Sequence, residues 1–211
     1  MHIYAFGSIC RGEIDSNSDL DILVIGGEYP AQYDPAIYSV YSYERVRELW
    51  KEGNPFAWHL FLESRLLFAS DGRDFLHSID QPAPYKNYAN DCEKFFSLFR
   101  EARAALNTAS RSIVFELSTI FLSIRNIATC FSLGVSNHPD FSRNSAIRMG
   151  SESVPLCDRV YRVLERARVL CTRGRGQEIT SDELKAAQES LDAVYHWMNQ
   201  LVERARAHER V

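Results

Sequence analysis

The hydrophobic periodicity of the chain changes near residue 80, and this change constrains the fold more than any other feature. Before it, short β-branched runs stop at glycine, as Asp19–Ile25 does before Gly26 and Gly27. Short apolar runs that end at turn residues are typical of strands. After it, apolar residues recur every three or four positions, which is the spacing of amphipathic helices. The sequence therefore predicts an α+β protein in two parts.

The same patterns place the individual elements. In the first part they predict strands at 3–6, 19–25, 36–43 and 66–69 and a helix at 44–52. Pro82 and Pro84 indicate a linker. In the second part they predict helices at 88–107, 111–133, 156–172 and from Thr180, where Glu183 suits a capping box. We therefore expect domains at 1–80 and 86–211, the first with a small mixed sheet and the second a four-helix bundle.

The formal charge divides at the same point. The chain has 24 Lys and Arg against 28 Asp and Glu, a net of −4. Residues 1–80 have 6 basic and 13 acidic residues, a net of −7, and residues 81–211 have 18 and 15, a net of +3. The mild total neither indicates nor excludes nucleic-acid binding. Its division predicts two units with different roles.

Composition excludes several classes of protein. The five cysteines form no CxxC pair, so no zinc site is expected. No basic region precedes the first apolar residues, so a cytoplasmic location is expected. The most apolar stretch, Ile113–Leu133, contains Glu116 and Arg125, which are costly in lipid. A buried helix and no membrane partner are therefore predicted.

The segment that carries chemistry lies between residues 6 and 24. It contains Gly7-Ser8, Arg11-Gly12 and Ser18-Asp19-Leu20-Asp21. Asp19 and Asp21 stand at i and i+2, so a strand projects them from one face, where paired carboxylates suit Mg²⁺. A Gly-Ser after a strand allows close backbone approach and supplies a hydroxyl, which suits a triphosphate. Each part alone is common, but together they predict metal-assisted phosphoryl or nucleotidyl transfer.

This order of residues resembles the nucleotidyltransferase superfamily of the DNA polymerase β type, especially its minimal and antibiotic nucleotidyltransferases. Cys10 stands where that signature usually has alanine. The resemblance implies that Gly7 and Ser8 hold the phosphates of a nucleoside triphosphate, with ATP expected, while Arg11 assists or only braces the loop. It also implies that Asp19 and Asp21 are catalytic and bind Mg²⁺. The implied enzyme moves a nucleoside monophosphate to an acceptor hydroxyl of a small molecule, an RNA end or a protein.

One departure from that family bears on activity. Its third acid usually stands on a following strand, but Ile37–Ser42 has none, and Asp34, Glu44 and Glu63 are the nearest substitutes. Without that carboxylate, nucleotide binding can survive while turnover falls. The alternative function is therefore a degenerate transferase that binds a nucleotide or a partner, as an antitoxin does. A homo-oligomer and a toxin or antitoxin partner both stay open.

The second part offers weaker signals. Arg125 and Cys130 resemble the Arg-x4-6-His motif of HEPN ribonucleases, with cysteine in place of histidine, so the bundle is expected to be HEPN-like or substrate-binding and not an RNase. The alternative for Arg125 is an interior ion pair with Glu116. A group of arginines suits either a phosphate-rich acceptor or a solvated helix face: Arg159, Arg162, Arg166, Arg168, Arg173 and Arg175. His59, beside Trp58, is expected to be structural.

Overall fold

The chain divides into two compact units, Met1–Tyr85 and Lys86–Val211. The computed structural model describes residues 1–13, 20–27, 33–106, 108, 112–136 and 138–209. Within those ranges the first unit has a four-stranded mixed sheet with three helices, and the second has four long helices. This content confirms the predicted α+β class.

The sheet of the first unit brings Gly7 and Asp21 to the same end of its two central strands. Its strands are β1 (His2–Phe6), β2 (Asp21–Gly26), β3 (Ser39–Ser42) and β4 (Ser64–Ala69), in the order β3-β2-β1-β4. β1 runs antiparallel to β2 and β4, and β3 is parallel to β2. Phe6 pairs with Asp21, so the end of β1 and the start of β2 lie side by side.

One face of this sheet carries the core of the unit. The helices are α1 (Tyr43–Lys51), α2 (Pro55–Glu63) and the short α3 (Phe75–Ser78). Alternate residues of a strand share a face, and the core cluster follows that rule. It comprises Tyr4, Phe6, Leu23 and Ile25 from the sheet with Val46, Leu49, Trp50, Ala57, Leu60, Phe75 and Leu76 from the helices. This packing fixes α2 against the end of β1.

Three elements differ from the sequence prediction, one of them the short α3, which was not predicted. β3 is shorter than the predicted 36–43, because residues 35–37 form a turn and the Ser42 hydroxyl accepts from the backbone N–H of Arg45, which caps α1. Helix α2 was not predicted at all, since Phe56–Leu62 is almost continuously apolar and shows no helical period. The available signal was Asn54-Pro55, a capping residue before a proline at the first helical position.

The second unit contains the predicted helices at nearly the predicted bounds. They are α4 (Tyr88–Leu106), α5 (Ile113–Phe131), α6 (Asp158–Arg173) and α7 (Ser181–Glu209). α5 packs on α4 and α6, and α7 packs on α4 and α6. The capping box before α7 is confirmed, because the hydroxyl of Thr180 accepts from the N–H of Glu183 at 3.3 Å and Glu183 accepts in return from the N–H of Thr180 at 3.0 Å.

Among the described residues, Ile113–Ser136 is long and apolar enough to cross a membrane, judged by length and composition. It comprises α5 and a π-helical turn, Ser132–Ser136. Most of its apolar window, 61 %, is buried, and the core helix of a soluble protein passes the same test. This stretch therefore carries no conclusion about location.

Candidate functional site

The loop after β1 begins with a backbone conformation that favours glycine. Gly7 has φ +76°, in the left-handed region. The backbone N–H groups of Cys10 and Arg11 donate to the carbonyl of Gly7 at 3.0 and 3.3 Å, and the N–H of Glu13 donates to the carbonyl of Ser8 at 3.0 Å. The predicted phosphate-binding residues Gly7 and Ser8 thus open a compact turn whose later amides are already bonded within it.

The carboxylate of Asp21 lies against Gly7. A Cβ atom at Gly7 would stand 2.9 Å from Oδ2 of Asp21, closer than side chains tolerate. The pairing of Phe6 with Asp21 explains this approach, because Gly7 directly follows Phe6. The structure therefore brings together Gly7 and Asp21, which are 14 positions apart in the sequence. Asp19 lies outside the described residues, so its role stays a prediction.

Arg11 is engaged by carboxylates on both sides. Its Nε donates to Glu13 at 2.9 Å, and its Nη1 donates to Glu63 at the end of α2. Burial acts to lower the pKa of Arg11, but the hydrogen bond to Glu13 and the charge of Glu63 outweigh it and raise that pKa above its ordinary value. Of the two roles expected for Arg11, these contacts fit bracing of the loop.

His59 on α2 was not expected at this site. Its Nε2 lies 3.0 Å from Glu63 one helical turn later, and its ring stands edge-on to Phe6 at 5.6 Å between centroids. Its Cε1 lies 3.9 Å from the same Cβ position at Gly7 that Asp21 approaches. Sequence reasoning missed this placement, because the i,i+4 spacing of His59 and Glu63 has meaning only once α2 is known to be a helix.

None of the three substitute acids lies on β3, where the third carboxylate of the resembled family would stand. Asp34 accepts from the N–H of Ala36 in a turn, and Glu44 lies in the first turn of α1. Glu63 reaches the site but contacts Arg11 and His59 instead. The lack of an acid on β3, expected from the sequence, therefore holds in the fold.

The residues present fit a magnesium ion in chemical type. Asp21 is exposed at the start of β2 and offers carboxylate oxygens, the ligands that Mg²⁺ prefers. Within the described ranges, no three His, Cys, Asp or Glu side chains are grouped to hold a metal ion. The second predicted ligand, Asp19, falls outside those ranges. The described part of the site thus supplies one of the two predicted carboxylates.

Comparison with protein families assigns this unit. Residues 2–68 match the family model of the nucleotidyltransferase domain. This match covers 67 of the 211 residues and lies wholly within the first unit. The match runs from β1 into β4, so it includes the Gly7 turn and Asp21, and it confirms the superfamily that the motif predicted. Comparison with curated proteins gives no match. The family supports transfer chemistry for the domain and leaves the helical unit unassigned.

Arg125, the candidate residue of the helical unit, anchors the connection that follows α5. Its guanidinium donates to the carbonyls of Phe141 at 2.8 Å and Ser142 at 3.2 Å. Nine residues along a helix place two side chains on opposite faces, so the predicted pair with Glu116 is wrong. Cys130 is buried. The contacts described for Arg125 are thus structural ones.

The arginine group of α6 includes residues already paired within the unit. Arg162 lies 2.8 Å from Glu165 and 3.3 Å from Asp158. Arg166 lies 2.6 Å from Glu183 at the start of α7. These pairs favour the structural interpretation of this helix face over a surface kept for phosphate.

Proposed function

We propose that the protein is a Mg²⁺-dependent nucleotidyltransferase that moves a nucleoside monophosphate from a nucleoside triphosphate, with ATP expected, to an acceptor hydroxyl. The observation that carries this proposal is the contact between the Asp21 carboxylate and Gly7. It supports the proposal because a carboxylate, the group that Mg²⁺ prefers, lies directly beside the turn that opens with Gly7 and Ser8, in a unit that matches the nucleotidyltransferase domain.

The residues of the turn have separable tasks. The N–H groups of Cys10 and Arg11 already donate to Gly7, so the Ser8 hydroxyl is the donor we assign to the phosphates. Asp21, together with Asp19, would hold Mg²⁺, which when bound neutralises charge on the phosphate oxygens. The acceptor oxygen bonds to the α-phosphorus while the bond to the bridging oxygen breaks. Pyrophosphate then leaves with that electron pair, and the acceptor proton passes to solvent.

Pyrophosphate release tests the proposal. Purified protein is incubated with Mg²⁺ and each nucleoside triphosphate, in separate arms with the protein alone, total RNA or a small-molecule cell extract as the acceptor source. We expect release in at least one arm and a loss of at least about 100-fold in Asp21→Asn. Asp34→Asn is the matched control, because Asp34 bonds only within a turn among the contacts described. Equal rates in Asp21→Asn and the wild type would contradict the site.

A second candidate function is nucleotide binding without turnover, in a degenerate transferase that acts on a partner as an antitoxin does. The observation that favours it is β3, which carries no acid, while Glu63 is engaged by Arg11. Calorimetric binding of MgATP together with no pyrophosphate in any acceptor arm would support this candidate. Release that depends on Asp21 would exclude it.

The location, the acceptor and the partners of the protein are also proposals. We infer a cytoplasmic enzyme whose acceptor is a small molecule, an RNA end or a protein side chain, and whose partners include a second copy or a toxin-like protein. The acceptor arm that yields pyrophosphate identifies the acceptor class.

A further inference from the structure

One oxygen of Glu63 joins two parts of the nucleotide site. Oε2 of Glu63 accepts from Nη1 of Arg11 in the loop and lies 3.0 Å from Nε2 of His59 on its own helix. All three side chains are little exposed, at 14 % for Glu63, 15 % for His59 and 19 % for Arg11. Carboxylates and guanidinium groups with so little exposure are found paired, because an unpaired charge loses its hydration without compensation.

Each contact of Glu63 leads on to a residue of the candidate site. On one side, Arg11 holds Glu13, whose backbone N–H donates to the carbonyl of Ser8 at 3.0 Å. On the other side, His59 lies beside Gly7, where the Asp21 carboxylate also approaches. The end of α2 is thereby connected to the phosphate turn and to the metal-binding strand.

We propose that Glu63 is a positioning residue for the nucleotide: its bridge between Arg11 and His59 fixes the turn that begins with Gly7 and Ser8. This inference rests on the proposed function and extends it. Oε2 of Glu63 is shared by a guanidinium and an imidazole, so we assign Glu63 to positioning and not to metal ligation. Arg11 acts through the bridge and does not bind phosphate.

A double-mutant cycle between Glu63 and Arg11 separates this role from direct phosphate binding by Arg11. Glu63→Gln removes one of the two carboxylates that face the guanidinium, and Arg11→Gln removes the guanidinium that faces Glu13 and Glu63. Each single variant should raise the Kd of MgATP about tenfold. The double variant carries a neutral Gln–Gln bridge in place of the Arg11–Glu63 pair and should bind MgATP more tightly than Arg11→Gln, although the contact with Glu13 stays lost. If Arg11 bound the phosphates directly, the double variant would bind as weakly as Arg11→Gln.

The experiment measures MgATP affinity by calorimetry for the wild type and the three variants, with circular dichroism to verify folding. Amide chemical shifts of Gly7 and Ser8 in the nucleotide-free protein supply a readout that needs no activity. We expect these shifts to move in Glu63→Gln and to return in the double variant. Unmoved shifts, or a double variant no better than Arg11→Gln, would overturn the positioning role alone. If the shifts move in Glu63→Gln and return in the double variant but the wild type binds no triphosphate, the proposed function is overturned and, with it, this role in nucleotide binding.

Discussion

Replacement of Gly7 by alanine separates the two demands that the turn after β1 places on this residue. The first is conformational, because φ is +76°, where an L-residue costs about 1–2 kcal/mol. The second is spatial, because the new Cβ would lie 2.9 Å from Oδ2 of Asp21. The carboxylate is the end of a short side chain and can rotate away, so the spatial demand adds little to the loss of stability. Its rotation, however, removes the candidate metal ligand from the turn.

Gly12→Ala is the matched control. Gly12 has φ +72°, and nothing lies within 4 Å of a Cβ at that position. Both variants therefore lose a similar amount of stability from the positive φ, and only Gly7→Ala displaces Asp21. For a unit of the size of Met1–Tyr85, a loss of about 1–2 kcal/mol lowers the melting temperature by at least about 4 °C.

The assay combines thermal unfolding with calorimetric titration of MgATP. We expect similar melting temperatures for Gly7→Ala and Gly12→Ala, a Kd for MgATP within about threefold of the wild type in Gly12→Ala, and a Kd raised more than about tenfold in Gly7→Ala. Equal nucleotide affinities in the two variants would refute the argument that the contact between Gly7 and Asp21 forms the site.

Two further predictions concern the helical unit. A Cβ at Gly134, in the π-helical turn, would overlap the side chain of Tyr88. Gly134→Ala should therefore destabilise the protein by about 1–3 kcal/mol, measured as a urea midpoint at lower concentration with an unchanged slope. An unchanged midpoint would contradict the close packing. The hydrogen bond from Arg166, and next the backbone N–H of Thr180, lower the pKa of Glu183 to about 2 from 4.5. The stabilisation by Glu183 is complete above its unfolded pKa and is lost as the pH falls to its folded pKa. The melting temperatures of the wild type and Glu183→Gln should therefore converge between about pH 5 and pH 2. A difference that stays constant over this range would show that the pair does not titrate there.

Regular periodicity made the helical unit predictable. α5 keeps Leu117, Ile120, Ile124 and Ile127 buried at three- and four-residue spacing, and the structure places the helix within two residues of the predicted bounds. The capping box at Thr180 is local in sequence, so it too could be identified from residue types alone. The partners of Arg125 could not be identified in this way. Arg125 donates to backbone carbonyls 16 and 17 residues away, in an irregular connection.

The sequence predicted the residues of the candidate site that belong to one short motif, but not the contacts between residues far apart in the chain. Gly7 and Asp21 flank one hairpin-like pair of strands, and their residue types alone indicated phosphate and metal chemistry. The contact between Arg11 and Glu63 spans 52 positions and depends on α2, whose apolar sequence shows no helical period. The sequence alone therefore predicts a structural role for His59 and offers Glu63 only as a substitute acid. Asp19, outside the described residues, remains known from the motif alone.

Transfer of label from the triphosphate tests the central claim most directly. Protein, Mg²⁺ and the acceptor source are incubated with ATP labelled at the α-phosphate and, in parallel, at the γ-phosphate. Nucleotidyl transfer predicts that the α-label becomes attached to the acceptor while the γ-label leaves in pyrophosphate, and that Asp21→Asn abolishes both. Attachment of the γ-label to the acceptor, or release of inorganic phosphate without pyrophosphate, would contradict the account.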